Sequence, residues 1–384
     1  MPVTRNRVIY AGTNVFISDY PSWNNQTGEY NLKNLRRIQS SSVSISNPVS
    51  RSRQIGSSSF AFEKYIQQPQ ISVSLNYLVS DNSNELLLGL NATGEDGALK
   101  FLKNSEKDRN LFFALSDNDG EDAVELNSFI NNDIFAIGNA FINNYSVTAE
   151  VGSVPSASVG FDALNMTFQT YTGFLTGSGP SGPVVLGGSQ IPSINLTNGN
   201  KSTGVYFITG NNSNTSNYLS NQNDRPNALR PGDITLELQQ PILGGIRYSG
   251  EVPASISSFS IEIPIERKDL IGFGSNYPYD KRIIFPLIGT LSFNGIFDEP
   301  VTGDFSNIFV DENEYDFAFN LKTCEGATGI RYEILNARVE SQSFDLGIDG
   351  QMTFQSQFSF KIFDEDGFRI SGAARLTNSL SVGD

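Results

Sequence analysis

The 384-residue sequence predicts a mostly β protein made of two related units in tandem. Three observations lead there. Apolar and polar side chains alternate at period two in several stretches. Turn-forming residues are frequent, with 35 Gly and abundant Ser, Thr and Asn set around 28 Phe. An early part of the chain is also echoed by a later one. The apolar fraction of 38% suffices for packed cores, and a charged fraction of 17% is too low for a solvated disordered chain.

The echo sets the domain expectation. Val43-Ser44-Ile45-Ser46-Asn47-Pro48-Val49-Ser50-Arg51, followed by Ile55-Gly56, resembles Phe259-Ser260-Ile261-Glu262-Ile263-Pro264-Ile265-Glu266-Arg267, followed by Ile271-Gly272. Ser44/Ser260, Ile45/Ile261, Pro48/Pro264 and Arg51/Arg267 share one spacing, and Lys64/Lys281, Pro69/Pro286 and Ile71/Ile288 share a spacing one residue longer. Asn139-Ala140 likewise corresponds to Asn336-Ala337. The expectation is a first β unit over 1–172, a Gly/Ser/Asn-rich linker or insertion over 173–234, and a second β unit over 235–384.

Each element follows from local pattern. Ile71, Val73, Leu75 and Tyr77 alternate with Ser72, Ser74 and Asn76, and Tyr145, Val147 and Ala149 alternate with Ser146, Thr148 and Glu150. Phe354, Phe358, Phe360 and Ile362 form a comparable stripe. Such strands bury one face and wet the other. Glu150 to Pro155 reads as a turn leading to the strand-like run 157–168, with Asp349-Gly350 its counterpart before 351–363. Asp81-Asn82-Ser83 before Leu86-Leu87-Leu88 predicts a short capped helix, and Asp119 to Leu126 a second. Between the units only Val205 to Thr209 reads as a strand.

Composition excludes several chemistries. With no His, Ser-His-Asp catalysis and His-ligated zinc or haem are impossible, and with one Cys, Cys324, so is an intrachain disulfide. No apolar run is long enough for a transmembrane helix, and the N-terminal Val8-Ile9-Tyr10 stretch is too short for a secretory signal core. A net charge of −15 argues against general nucleic-acid binding, which needs an excess of phosphate-neutralising cations.

Individual motifs carry little chemistry. Gly177-Ser178-Gly179-Pro180-Ser181-Gly182 fits a dinucleotide fingerprint in letters, but Pro183 and the run after it cannot open a helix. Asp117-Asn118-Asp119-Gly120 sits where an EF-hand would require carboxylates at Leu115 and Leu126. Asp298/Glu299 and Asp311/Glu312/Glu314 read as solvated loop charge. The chain is therefore expected to be non-enzymatic, with no catalytic, cofactor or metal residues. The segments 47–65 and 264–281 are more informative. Each is a long loop combining Arg or Lys with aromatic residues, types favoured at interface cores. Arg51, Arg53, Phe60, Phe62, Lys64, Tyr65, Arg267, Lys268 and Phe273 are the candidate contacts between subunits.

This constellation, with the run Asn144 to Phe161 and the loop Arg51 to Ile71, resembles the major tail-tube proteins of tailed bacteriophages. The resemblance implies two tandem tube-like β-sandwich or barrel domains with short flanking helices. It implies that three chains form a pseudo-hexameric ring, and that rings stack into a tube conducting DNA during ejection. The implied partners are copies of the chain itself, the tape-measure and tail-terminator proteins, a baseplate or distal-tail protein, and a sheath if the tail contracts. DNA would transit the lumen without specific binding, with Glu150 and Asp345 helping to set a repulsive wall potential. The implied location is the virion tail, assembled in the host cytoplasm, with no membrane contact. A distal-tail or baseplate ring protein of the same fold and a glycan-binding β-sandwich adhesin are the alternatives.

Overall fold

A computed structural model describes residues 14–24, 29–53, 55–56, 58, 60–65, 68–94, 96–103, 108–115, 133–170, 184–185, 192–194, 205–208, 233–238, 256–273, 277–296, 314–322, 328–346, 352–362 and 367–372. The protein is mostly β, with almost no helix among these residues. In the first half the strands are β1 (Asn14–Asn24), β2 (Glu29–Asn34), β3 (Ile38–Ser46), β4 (Val49–Arg53), β5 (Phe60–Tyr65) and β6 (Gln70–Leu78). Helix α1 (Ser83–Leu88) and a 3-10 turn (Phe101–Lys103) follow, then β7 (Asp108–Leu115), β8 (Asp133–Glu150), β9 (Ser156–Ala163) and β10 (Asn165–Thr170). Two short strands, β11 (Val184–Val185) and β12 (Val205–Ile208), lead to the second half. That half holds β13 (Ile234–Leu238), β14 (Ile256–Pro264), β15 (Arg267–Leu270), β16 (Asp280–Ile283), β17 (Leu287–Ile296), β18 (Tyr315–Lys322), β19 (Thr328–Leu346), β20 (Met352–Ile362) and β21 (Phe368–Gly372).

The two halves share one connectivity. In the first, the inner layer runs β3–β6–β9–β8 and the outer layer β1–β7–β8–β10, all antiparallel. In the second, β14–β17–β20–β19 and β13–β18–β19–β21 repeat both orders. The outer layer of the first half is extended by β2, then β12 in parallel, then β11. These parts of 173–234 are thus paired strands, and Ile194 is buried.

Long strands serve both layers. β8 has 18 residues and β19 has 19, and each crosses from the outer layer to the inner one along its length. The crossing is built the same way twice. Asn139 (φ 51°) and Asn336 (φ 56°) take the left-handed backbone that Asn tolerates better than most residues. A bulge follows at Ile142/Asn144 and at Val339/Ser341. Left-handed residue and bulge together bend and over-twist a strand enough to change layers.

The bulges also correct the repeat alignment. Both β3 and β14 shift register one residue in, between Ile38 and Ser40 and between Ile256 and Ser258. This pairs Val43 with Ile261, Ile45 with Ile263 and Val49 with Arg267, two residues away from the identities read in sequence. The pairing of Ile71 with Ile288 fails outright: Ile71 is buried and Ile288 is exposed. A one-residue slip exchanges the two faces of a strand, so Ile71 matches Gly289 instead.

Other expectations meet the structure in detail. Ile71–Tyr77 and Tyr145–Ala149 are the buried stripes of β6 and β8. The 157–168 run is two strands, β9 and β10, broken at Leu164. Gly152 (φ 89°) supplies the turn after Glu150, closed by Ser153 N–H donating to the Glu150 carbonyl at 3.1 Å. Helix α1 opens with the Ser83 N–H donating to Asp81 Oδ1 at 3.0 Å and ends at left-handed Gly89. The segments read as long loops are β-hairpins, β4–β5 and β15–β16. The proposed helix at 119–126, the glycine motif at 177–182 and the acidic turns at 117–120, 298–299 and 311–312 lie outside the described residues.

Candidate assembly interface

The two halves are joined by a strand pair. Strand β14 pairs antiparallel with the C-terminal half of β8, from Ser258 opposite Glu150 to Pro264 opposite Asn144. The inner layers therefore fuse into one sheet of order β3–β6–β9–β8–β14–β17–β20–β19. At the joint Phe259, Ile261 and Ile263 pack beside Tyr145, Val147 and Ala149, all buried. The opposite face of the fused sheet carries small polar residues such as Ser74, Ser146, Thr148, Ser260, Ser292 and Gln355. A depression of about 410 Å³, lined by polar and apolar groups alike, lies over the joint beside Thr148, Ser260 and Asn294.

The ends of this sheet are the interesting places. Among the described residues, β3 pairs only with β6, and the Arg338–Leu346 half of β19 pairs only with β20. Repeat equivalence makes β3 the counterpart of β14 and this half of β19 the counterpart of the joined half of β8. The chain thus ends in the same two edges that it joins in its middle. Their exposure agrees: Ile45 is 49% and Phe344 38% exposed, whereas their counterparts Ile263 and Val147 are 0% exposed. Unpaired strand edges with apolar residues are templates for another strand.

Hairpin β15–β16 reinforces the internal joint. The Ile265 N–H donates to the Asn143 carbonyl at 2.8 Å, and Arg267 Nε donates to the Ile142 carbonyl at 3.1 Å. The Arg267 guanidinium and the Lys281 ammonium lie 5.4 and 5.6 Å from the centre of the Phe141 ring. Burial draws Arg267 down to about 10, against the raising effect of Asp108, Asp162 and Asp280, so it stays a cation at neutral pH. Lys281 also pairs with Asp269 at 3.3 Å. Arg267, offered by sequence as a contact between subunits, is engaged inside its own chain. Lys268 and Phe273 are exposed, as are Arg51 and Arg53 on β4. The backbones of Phe60, Phe62, Lys64 and Tyr65 form β5. Glu150 and Asp345 are both exposed at the same end of the fused sheet, on the two equivalent strands.

A polar cluster behind the joint escaped sequence reading. Glu85 of α1 is completely buried, and its Oε1 accepts from the Tyr77 hydroxyl at 2.8 Å and the Tyr145 hydroxyl at 3.1 Å. The Tyr145 hydroxyl also lies 3.5 Å from that of Tyr332 in the second half. Burial pushes the Glu85 carboxyl up to about 7, although the Tyr77 hydrogen bond opposes the shift. Beside it, burial acts to raise Asp81 but Arg37, at 3.0 Å, and the Ser83 amide outweigh it and hold that carboxyl below its usual range. Asn82 Nδ2 reaches the Ala92 and Gly372 carbonyls at 2.9 and 3.2 Å, tying α1 to β21 of the other half. No motif marks these residues, because the tyrosines come from three strands.

No family model and no curated protein matches the chain. Among solved structures, a chain of the anti-feeding prophage (AFP) baseplate aligns at 11% identity over 37% of this chain and 93% of that one, with a TM-score of 0.25.

Proposed function

We propose that the chain is a ring-forming structural subunit of a phage-type tail, specifically the tube subunit. Copies associate head to tail, β3 of one against β19 of the next, repeating between chains the joint that β14 and β8 make within one. One observation carries the reading: the two edges that no described strand covers are the repeat counterparts of the two joined ones. A contact between two different surfaces propagates, and it closes into a ring when the rotation per unit allows. By the internal register, Val43 should stand opposite Phe344 and Ser42 opposite Asp345 of the neighbour. The resemblance to tail-tube proteins supports three chains per ring.

The polar face of the fused sheet suits a conduit. Hydroxyl and amide side chains hold water, and the acidic Glu150 and Asp345 repel phosphate, so a passing duplex finds no row of cations to bind. The hairpin tips, where Ile55, Ile271 and Phe273 are exposed, would meet the next ring. The reading involves no catalysis and no cofactor.

Negative-stain microscopy with native mass spectrometry tests it. The expected result is closed rings of three chains that stack into tubes as concentration rises. A strictly monomeric protein at high concentration refutes the ring. Rings that never stack move the reading to a distal-tail or baseplate ring. Replacing Glu150 and Asp345 with Lys should leave tubes intact and slow DNA passage; unchanged passage removes the electrostatic role.

A further inference from the structure

The outer layers hold a second pair of counterparts with unlike surroundings. In the second half, Tyr332 of β19 and Phe368 and Ile370 of β21 are all 0% exposed. The first half meets this edge. The Ala98 N–H donates to the Phe368 carbonyl at 2.8 Å, Asn82 Nδ2 reaches the Gly372 carbonyl at 3.2 Å, and the Tyr145 hydroxyl lies 3.5 Å from that of Tyr332. Gly94 packs so closely that an added Cβ would stand 2.8 Å from Ser371 Cβ. In the first half the matching edge is β10. Phe168 stands opposite Phe135 there, as Ile370 stands opposite Tyr332. The two rings stack with centres 4.9 Å apart, yet Phe168 is 73% exposed and Phe135 half-buried. Among the described residues β10 pairs only with β8. An exposed aromatic pair beside an unpaired strand edge offers a partner both apolar area and backbone groups.

We infer that Phe135 and Phe168, at the β10 edge, form a docking site for the second half of a neighbouring copy of this chain. The inference rests on the ring reading above. The internal joint identifies the occupant. There the first half lends β8 to β14, and the same first half lies along the β21 edge of the half that it joins. Between chains the lender is β19 in the neighbour's second half, and its partner is β3. That second half should therefore also lie along β10, in the half whose β3 it pairs. The β3 edge and the aromatic pair then face one neighbour, so the contact between chains has an inner-layer part made of strand pairing and an outer-layer part made of aromatic burial. Aromatic side chains in such a pocket contribute more to association than their share of the contact area.

Two measurements on the full-length chain test this. A photo-reactive benzophenone side chain in place of Phe168, in rings mixed from light and heavy isotope-labelled copies, should cross-link to the second half of another copy. Phe168→Asp should raise the concentration at half-assembly, read by mass photometry, about tenfold or more, whereas Phe168→Leu should stay within about threefold of the wild type. Because Phe168 is largely exposed, Phe168→Asp should move the unfolding temperature by no more than about 2 °C. If it moves further, the cross-link alone decides. Wild-type rings whose cross-links stay within one chain, reach the first half of another copy or fail to form overturn the docking site and leave the ring. So does a folded Phe168→Asp variant that assembles like the wild type. A wild-type chain that remains monomeric overturns the ring reading itself.

Discussion

Strands β3 and β14 hold the same place in the two halves and have opposite fates. β14 reads Phe259, Ile261, Ile263 on its inner face and is covered by β8. β3 offers Ser41, Val43 and Ile45 at the matching positions and is largely exposed. The difference teaches how one strand can be both core and edge. A joint made once during folding can be fully apolar, whereas an edge that must stay soluble until a neighbour arrives is diluted with Ser. In the proposed ring the protein would keep the geometry of the internal joint and lower its hydrophobicity.

The largest test of that contrast sets Ile263→Asp against Ile45→Asp. A carboxylate at fully buried Ile263 should cost about 4 kcal/mol or more in denaturant unfolding. The same change at Ile45 should alter stability by less than about 0.5 kcal/mol yet abolish ring formation in light scattering. Equal destabilisation by both would show that β3 is not a free edge.

The second test concerns the glutamate behind the internal joint. Glu85 is raised from 4.5 to about 7 in the folded chain, so between these values the native state keeps a proton that the unfolded chain releases. Stability should therefore be highest at and below about pH 4.5 as far as this group is concerned, fall as pH rises to about 7, and stay level above. The fall is on the order of 3 kcal/mol. Glu85→Gln should flatten that slope in unfolding measured across the range; an unchanged slope assigns it to other groups.

The paired asparagines give a finer comparison. Asn139→Ala loses the left-handed preference and two side-chain bonds, from Nδ2 to Asp108 at 2.8 Å and to Oδ1 from the Ile194 N–H at 2.6 Å. Asn336 makes its 2.8 Å bond to Asp316 through its backbone N–H, which an alanine retains. Thermal unfolding should show a loss of about 3 kcal/mol for the first and about 1 kcal/mol for the second. Equal losses would mean that backbone strain alone sets the cost. Smallest is the hairpin base, where Arg267→Ala should cost about 1 kcal/mol and exposed Lys268→Ala nothing measurable, since Arg267 donates to the Ile142 carbonyl of the first half.

Much of the fold could be read in the letters. Strand alternation marked β6, β8 and β20 because a half-buried strand must alternate, and Asn139/Asn336 marked the same bend in both halves. The repeat alignment slipped, by two residues at β3/β14 and by one at β6/β17. Matching identities rewards recurring Ser, Ile and Pro, and it cannot see a bulge that moves the register without leaving a letter behind. The candidate interface was less legible. Arg267 and Arg51 look alike as loop arginines, yet one sits over Phe141 and the other is exposed, and Glu85 meets its two tyrosines on two different strands, β6 and β8.

The sequence alone determined the strand content, the duplication and the exclusion of histidine chemistry, since each is a matter of local period, self-similarity or composition. Only the tertiary structure decided which edges are joined and which no described strand covers. That choice depends on register and on what each strand face covers. These are relations between distant segments, and no single stretch of chain contains them.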